Sequence, residues 1–142
     1  MFGGQVMKRI ALVLAVVLAV AVVAAQERRV ITVETMPPVI VKTVPQAGDT
    51  EVDPNLKEIK ATFSKDMMTE KMWAWSQISA EHFPRRAGKI HYLADKRTCV
   101  MPVILEPNRT YCIWLNLGRF NSFRDTGNRP AVSYQLVFKT KD

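Results

Sequence analysis

Apolar and polar positions alternate over several short runs of this chain, a two-residue period that marks strands with one buried face. Ile59-Lys60-Ala61-Thr62-Phe63-Ser64 is one such run, and Thr110 to Leu117 is the strongest, with Tyr111, Ile113, Leu115 and Leu117 on one face. Val39 to Val44, Lys89 to Leu93, Thr98 to Leu105 and Tyr134 to Lys139 are further strand candidates. Trp73 to Ser79 reads as a strand with Trp73 and Trp75 on the same side. Turn chemistry separates the runs. Pro45 stops the first, and Gln46-Ala47-Gly48-Asp49, Asp53-Pro54-Asn55 and Asp125-Thr126-Gly127-Asn128 are turns, because Asp and Asn accept local hydrogen bonds and Gly supplies positive φ. A single helical turn over 65–72 is the most helix the pattern offers. About seven short strands with regular turn signals predict an all-β, antiparallel β-sandwich.

The N-terminus has a different pattern. Lys8 and Arg9 precede an unbroken apolar run from Ile10 to Ala25, which closes on Val23-Ala24-Ala25 before Gln26-Glu27-Arg28-Arg29. A basic start, an apolar stretch and small residues at its end describe a secretory signal peptide over 1–25, a helix cleaved after Ala25. The run of 16 residues is shorter than the roughly 20 a spanning helix needs, so the membrane enters only through this segment if it stays uncleaved. Met7 is an alternative start, which would make 1–6 an extension, and no cysteine follows the run to carry a lipid. Residues 26–37 read as a short tail or linker in which Val30-Ile31-Thr32-Val33 has weak strand character. Met36-Pro37-Pro38 then marks the start of a sandwich domain over 38–142.

A chain of 142 residues that is 48% hydrophobic suffices for one domain and is too short for two ordinary ones. Removing 1–25 takes away Lys8 and Arg9 and no acid, which lowers the net charge from +7 to +5. The basic residues are scattered, with local pairs such as Arg28-Arg29 and Arg85-Arg86. That distribution excludes the clustered stripe of a nucleic-acid binder and leaves a solvated basic surface with at most weak affinity for acidic wall or lipid surfaces. Export would expose Cys99 and Cys112 to an oxidising compartment, where a disulfide must be weighed. In a simple hairpin closed by Glu106 to Arg109 they stand four residues out of register, about 13 Å apart against a limit of about 7 Å. In a crossing between sheets, Cys99 shares the inward parity of Leu105, whereas Cys112 alternates against Tyr111 and Ile113. Both geometries predict unpaired thiols, with Cys99 packing as a small hydrophobe.

Val44 to Pro54, Ile59 through Phe63-Ser64-Lys65-Asp66-Met67, Leu105-Glu106-Pro107-Asn108-Arg109-Thr110-Tyr111, Asp125 to Asn128 and Leu136-Val137-Phe138-Lys139-Thr140 follow one another in an order and spacing that resemble the bacterial Ig-like domain of the SbsA S-layer type. The resemblance spans about Pro38 to Lys141. It implies an immunoglobulin/fibronectin-III-like sandwich that serves as a spacer or adhesion module in larger exported proteins. The chain departs from it in being a single domain behind a signal peptide. It departs also in carrying Trp73 and Trp75, and in its long 79–96 segment, read as extra strands or a mobile loop. Within this frame Leu105, Pro107 and Tyr111 form a corner between sheets. Pro107 withdraws a backbone donor to end one strand, and Tyr111 starts the next with a buried ring whose hydroxyl bonds back to backbone a few residues upstream.

Candidate chemistry is sparse. Asp125-Thr126-Gly127 spells the tripeptide around an aspartic-protease carboxylate, but no buried apolar strand leads into it, and a turn fits better. Asp49, Glu51, Asp53 and Asn55 alternate like calcium ligands, yet Pro54 occupies the sixth position and Lys60 the twelfth, which removes the EF-hand and leaves only a looser loop site. His82 and His91 lack partners at zinc-ligand spacing. Nothing calls for a metal or cofactor, and no catalytic constellation is present. The aromatics remain. Trp75 or Trp114 is the candidate core Trp of the sandwich. If Tyr111 and Ile113 face inward, Trp114 faces outward and joins Phe120 and Phe123 in an exposed aromatic patch, unless 79–96 folds over it. The leading reading is a non-enzymatic exported module, periplasmic or at the cell surface, which binds a protein or cell-envelope polymer through a sheet face or an edge strand. The alternative is a carbohydrate-binding domain that stacks sugars on Trp73, Trp75 or Trp114.

Overall fold

The computed structural model describes residues 3–5, 7–9 and 30–142. Residues 3–5 and 7–9 are helical, while the apolar run and the expected cleavage site lie outside the described residues. Residues 30–35 form no strand; Thr32 and Thr35 exchange backbone and hydroxyl hydrogen bonds that close a turn. Met36–Asp142 is a compact unit built of eight strands.

These strands are β1 (Ile40–Val44), β2 (Glu58–Phe63), β3 (Trp75–Gln77), β4 (Arg85–Arg86), β5 (His91–Tyr92), β6 (Thr98–Ile104), β7 (Thr110–Leu115) and β8 (Tyr134–Lys139). They form two antiparallel sheets, one ordered β1-β2-β6 with β4 and β5 both on the far side of β6, the other β3-β7-β8. This is the order of a seven-strand immunoglobulin-like sandwich. The eighth strand arises because one edge position is split. Arg85 and Arg86 pair with Ile104 and Val103, the chain leaves the ladder around Gly88, and His91 and Tyr92 rejoin it opposite Val100 and Cys99. The 79–96 segment is therefore extra edge strand, and it also ties the sheets together. The Cys112 amide of β7 donates to the His82 carbonyl at 2.8 Å, and the Ala87 amide donates to the Pro102 carbonyl of β6 at 2.9 Å.

The core follows from the alternation. Ile59, Ala61 and Phe63 of β2, Cys99, Met101 and Val103 of β6, Tyr111, Ile113 and Leu115 of β7, and Leu136 and Phe138 of β8 form one buried cluster between the sheets. Each large side chain among them contributes about 1.5–3 kcal/mol by leaving water. After Pro45 the chain changes sheets, and residues 48–52 run beside β8. The Gly48 amide donates to Val137 (2.7 Å), Lys139 donates to Asp49 (2.8 Å), and Lys141 donates to Val52 (3.0 Å). The edge of the last strand is thereby occupied.

Two local expectations are corrected. Residues 65–72 form no helical turn, because their amides are committed elsewhere: Met67 donates to Lys96 and Met68 to Arg124, both at 2.9 Å. The strand from Thr110 ends at Leu115 and does not reach Leu117, because Asn116 takes a φ of 57° and breaks the ladder.

Candidate functional site

The β3 edge of one sheet and the split β4–β5 edge of the other bound a cleft of about 500 Å³. Its aromatic lining is Trp73, Trp75, Phe83 and Phe120, and its cationic lining is Arg86 and Arg119. Sequence reasoning singled out Trp73, Trp75 and Phe120, and the fold brings these three together. Trp75 forms the inner wall. It packs edge-on to the buried Phe123, with centroids 5.6 Å apart and planes at 78°, and holds the third-strand position of the core Trp. Its Nε1 is buried without a hydrogen bond of ordinary geometry and lies beside the Cys99 thiol. Burial pushes that thiol up to about 12, and the indole N–H offsets only part of the shift.

Trp73 sits on a stretch held at both sides. The Tyr92 hydroxyl donates to the Met72 carbonyl at 3.0 Å, and the Asn116 amide donates to the Ala74 carbonyl at 3.1 Å. Burial drives the Tyr92 pKa well above the ordinary phenol value, so this hydroxyl stays a donor. Phe120 stands on a tight turn in which Leu117 and Phe120 exchange backbone hydrogen bonds and Gly118 takes a φ of 55°. Its ring is 54% exposed, with the Arg119 guanidinium 5.1 Å from its centroid.

Phe123 and Trp114 are corrected as members of an exposed patch. Phe123 is fully buried, 5.0 Å from the Phe63 ring. The cause is Asn116, itself buried, whose side-chain amide donates to the Phe123 and Ala131 carbonyls and whose Oδ1 accepts the Phe123 amide, all at 3.0 Å. These bonds curl the loop back and turn the Phe123 ring inward. Trp114 does point away from the core, opposite Ser76 and Gln135, but it lies half-buried on the outer sheet face, outside the cleft, with its Nε1 covered. Sequence reasoning missed Asn116, whose only signal was a polar residue at the end of the best strand.

At the corner β6 passes into β7 of the other sheet, with Leu105 and Tyr111 buried and Pro107 exposed. The Tyr111 hydroxyl accepts the Glu106 amide at 2.8 Å, and the Tyr111 ring lies 5.4 Å from Phe138. Buried Thr140 latches the corner, donating to the Glu106 carbonyl at 2.6 Å and accepting the Arg109 amide at 2.9 Å. A second cavity of about 510 Å³ beside the corner is lined by Arg85, Arg109 and Glu106. There Arg109 is already paired with Glu106.

The remaining candidates have structural partners. Asp125 is buried in its turn, where Oδ2 meets Lys65 Nζ and Arg129 Nη1, each at 2.8 Å, and Oδ1 accepts the Arg129 amide at 2.8 Å. Burial alone would raise its pKa, but those bonds outweigh it and hold the carboxyl below the usual range. Asp49 and Asp53 accept the amides of Glu51 and Asn55 in their own turns. The His82 and His91 rings bond backbone carbonyls of Thr110 and Lys89. Cys99 is buried, Cys112 half-buried, and both thiols are free.

A model of the bacterial Ig-like domain family matches residues 34–140. Among solved structures, the S-layer protein rSbsC is similar at 14% identity and a TM-score of 0.48, over 76% of this chain and 14% of that one. The chain thus spans a small part of that protein's length. No curated protein matches in sequence. The family match runs from the residues before β1 to the Thr140 latch, across both sheets, and the chain belongs to the bacterial Ig-like domain family.

Proposed function

We propose that the protein is an exported, non-enzymatic Ig-like module, periplasmic or at the cell surface, that contacts a protein or cell-envelope polymer through the cleft of Trp73, Trp75 and Phe120. The observation that carries this reading is the cleft itself, where a half-exposed ring stands at an open sandwich edge beside a Trp held from both sides. An exposed aromatic surface of this kind marks a recognition site. The lining supplies ring faces, hydroxyls, an amide and guanidinium groups, and contains no Asp, Glu, His, Cys or Lys to move protons in a reaction. The edge of the last strand is taken by residues 48–52, which favours the cleft over strand addition there. Lys8-Arg9, the apolar run and Val23-Ala24-Ala25 support export.

The test is retention of the protein on an envelope fraction, compared with Phe120→Ala and a Trp73→Ala/Phe120→Ala double variant. Phe120→Ala should leave folding stability within about 0.5 kcal/mol, as for an exposed side chain. The double variant should bind about tenfold more weakly, and wild-type retention by it would refute the cleft as the contact surface. Mass spectrometry of the native N-terminus tests export, and retention of residues 1–25 would overturn the cleaved leader.

A further inference from the structure

We propose that the cleft takes an acidic saccharide, a sugar ring bearing a carboxylate, with Phe120 and Trp73 as the stacking faces and Arg86 and Arg119 as the anion partners. This rests on the cleft being the contact surface and adds the chemistry of what it holds. Five basic side chains elsewhere in the domain are matched to acids: Lys60 to Glu58, Lys65 and Arg129 to Asp125, Arg97 to Asp66, and Arg109 to Glu106. Arg86 and Arg119 are both exposed at the cleft, and neither has a carboxylate partner among the described residues. No acid lines the cleft, and its two guanidinium groups are the formal charges of the lining.

The rest of the lining suits a sugar. Aromatic faces match the apolar face of a pyranose, and Ser76, Gln77 and Ser122 offer donors and acceptors for its hydroxyls. The volume of about 500 Å³ lies within the roughly 300–1,000 Å³ of small-molecule clefts. The backbone bonds at Met72 and Ala74 hold the Trp73 segment before any ligand arrives, which lowers the ordering cost of binding. A neutral sugar would leave both arginines unused, and an acidic peptide would leave the ring faces without a flat partner.

The experiment is calorimetric titration of the protein with galacturonate and glucuronate tetrasaccharides and with their methyl esters, which keep the rings and remove the charge. At least one free acid should bind about tenfold more tightly than its ester at low salt and lose that advantage at high salt, as expected of partly exposed ion pairs. Arg86→Gln/Arg119→Gln should abolish the difference between acid and ester by lowering binding of the acid; both substitutions are at exposed positions. Phe120→Ala should weaken acid and ester alike. Equal binding of acid and ester, binding of neither, or tighter binding of a polyglutamate peptide would overturn the proposal. If the saccharides fail while envelope retention still depends on Trp73 and Phe120, the contact surface stands and only its ligand is wrong. If retention ignores Trp73 and Phe120, the contact surface itself fails.

Discussion

Replacing Tyr111 by Phe removes one oxygen from the corner and nothing else. The ring is 2% exposed and packs on Phe138, and Phe keeps that contact, so no large cavity opens. What is lost is the acceptor of the Glu106 amide, bonded at 2.8 Å. An amide left without a partner costs about 1–3 kcal/mol when buried. Glu106 is exposed, so water reaches that amide once the hydroxyl is gone, and the lower part of the range applies, about 1–1.5 kcal/mol. For a domain of this size each kcal/mol shifts the melting temperature by about 4–8 °C, so the variant should melt roughly 5–10 °C below wild type. Thermal and urea unfolding of both proteins measure this, with an unchanged urea slope showing that the change lies in stability and not in compactness. Tyr111→Leu should cost more, because it also removes ring packing against Phe138. An unaltered Tm for Tyr111→Phe would refute the corner hydrogen bond as a stabilising contact.

Asp125→Asn should destabilise the domain by about 2–3 kcal/mol at neutral pH, less than the loss of a fully buried pair, because the Arg129 side chain is 39% exposed. The folded-state pKa of Asp125 is depressed, so its contribution is complete above the unfolded value of 3.8 and lost as pH falls through the lower folded value. Acid unfolding of wild type should therefore steepen below about pH 4, and the Asn variant should show a shallower acid limb; parallel limbs would contradict the ionised role. For the thiols, an alkylating reagent at mildly alkaline pH should modify half-buried Cys112 in the folded protein and spare Cys99, whose thiol is pushed up to about 12. Mass mapping of adducts checks this, and equal labelling of both cysteines before unfolding would disprove the burial of Cys99.

Much of the sandwich was legible because burial of one face imposes a period of two. β2 and β7 were read from that period, and their alternation in burial follows it residue by residue. β4 was not legible. Arg85-Arg86 is an exposed edge pair with no apolar position to betray it, and only the exposed ladder of β6 makes it a strand. Three of the five aromatics expected at a surface line one cleft, whereas Phe123 went inward. Counting parity from Tyr111 loses meaning once Asn116 takes a positive φ, since every later side chain then points where the loop directs it. The roles of Asn116 and Thr140 were not legible, because a single polar residue at a strand end looks alike whether it meets water or three backbone groups.

The sequence by itself determined the fold class, the inward parity of Tyr111, Ile113 and Leu115, and the free state of two cysteines out of phase across a corner. These properties depend on period and turn chemistry, which act over a few residues. Only the tertiary structure decided that Trp73, Trp75, Arg86, Arg119 and Phe120 share one cleft, and that Arg86 and Arg119 lack acidic partners there. Those residues come from a strand edge, a split edge strand and a turn far apart in the chain. They meet because the two sheets bury a common core, and no local pattern encodes which edges that packing leaves open.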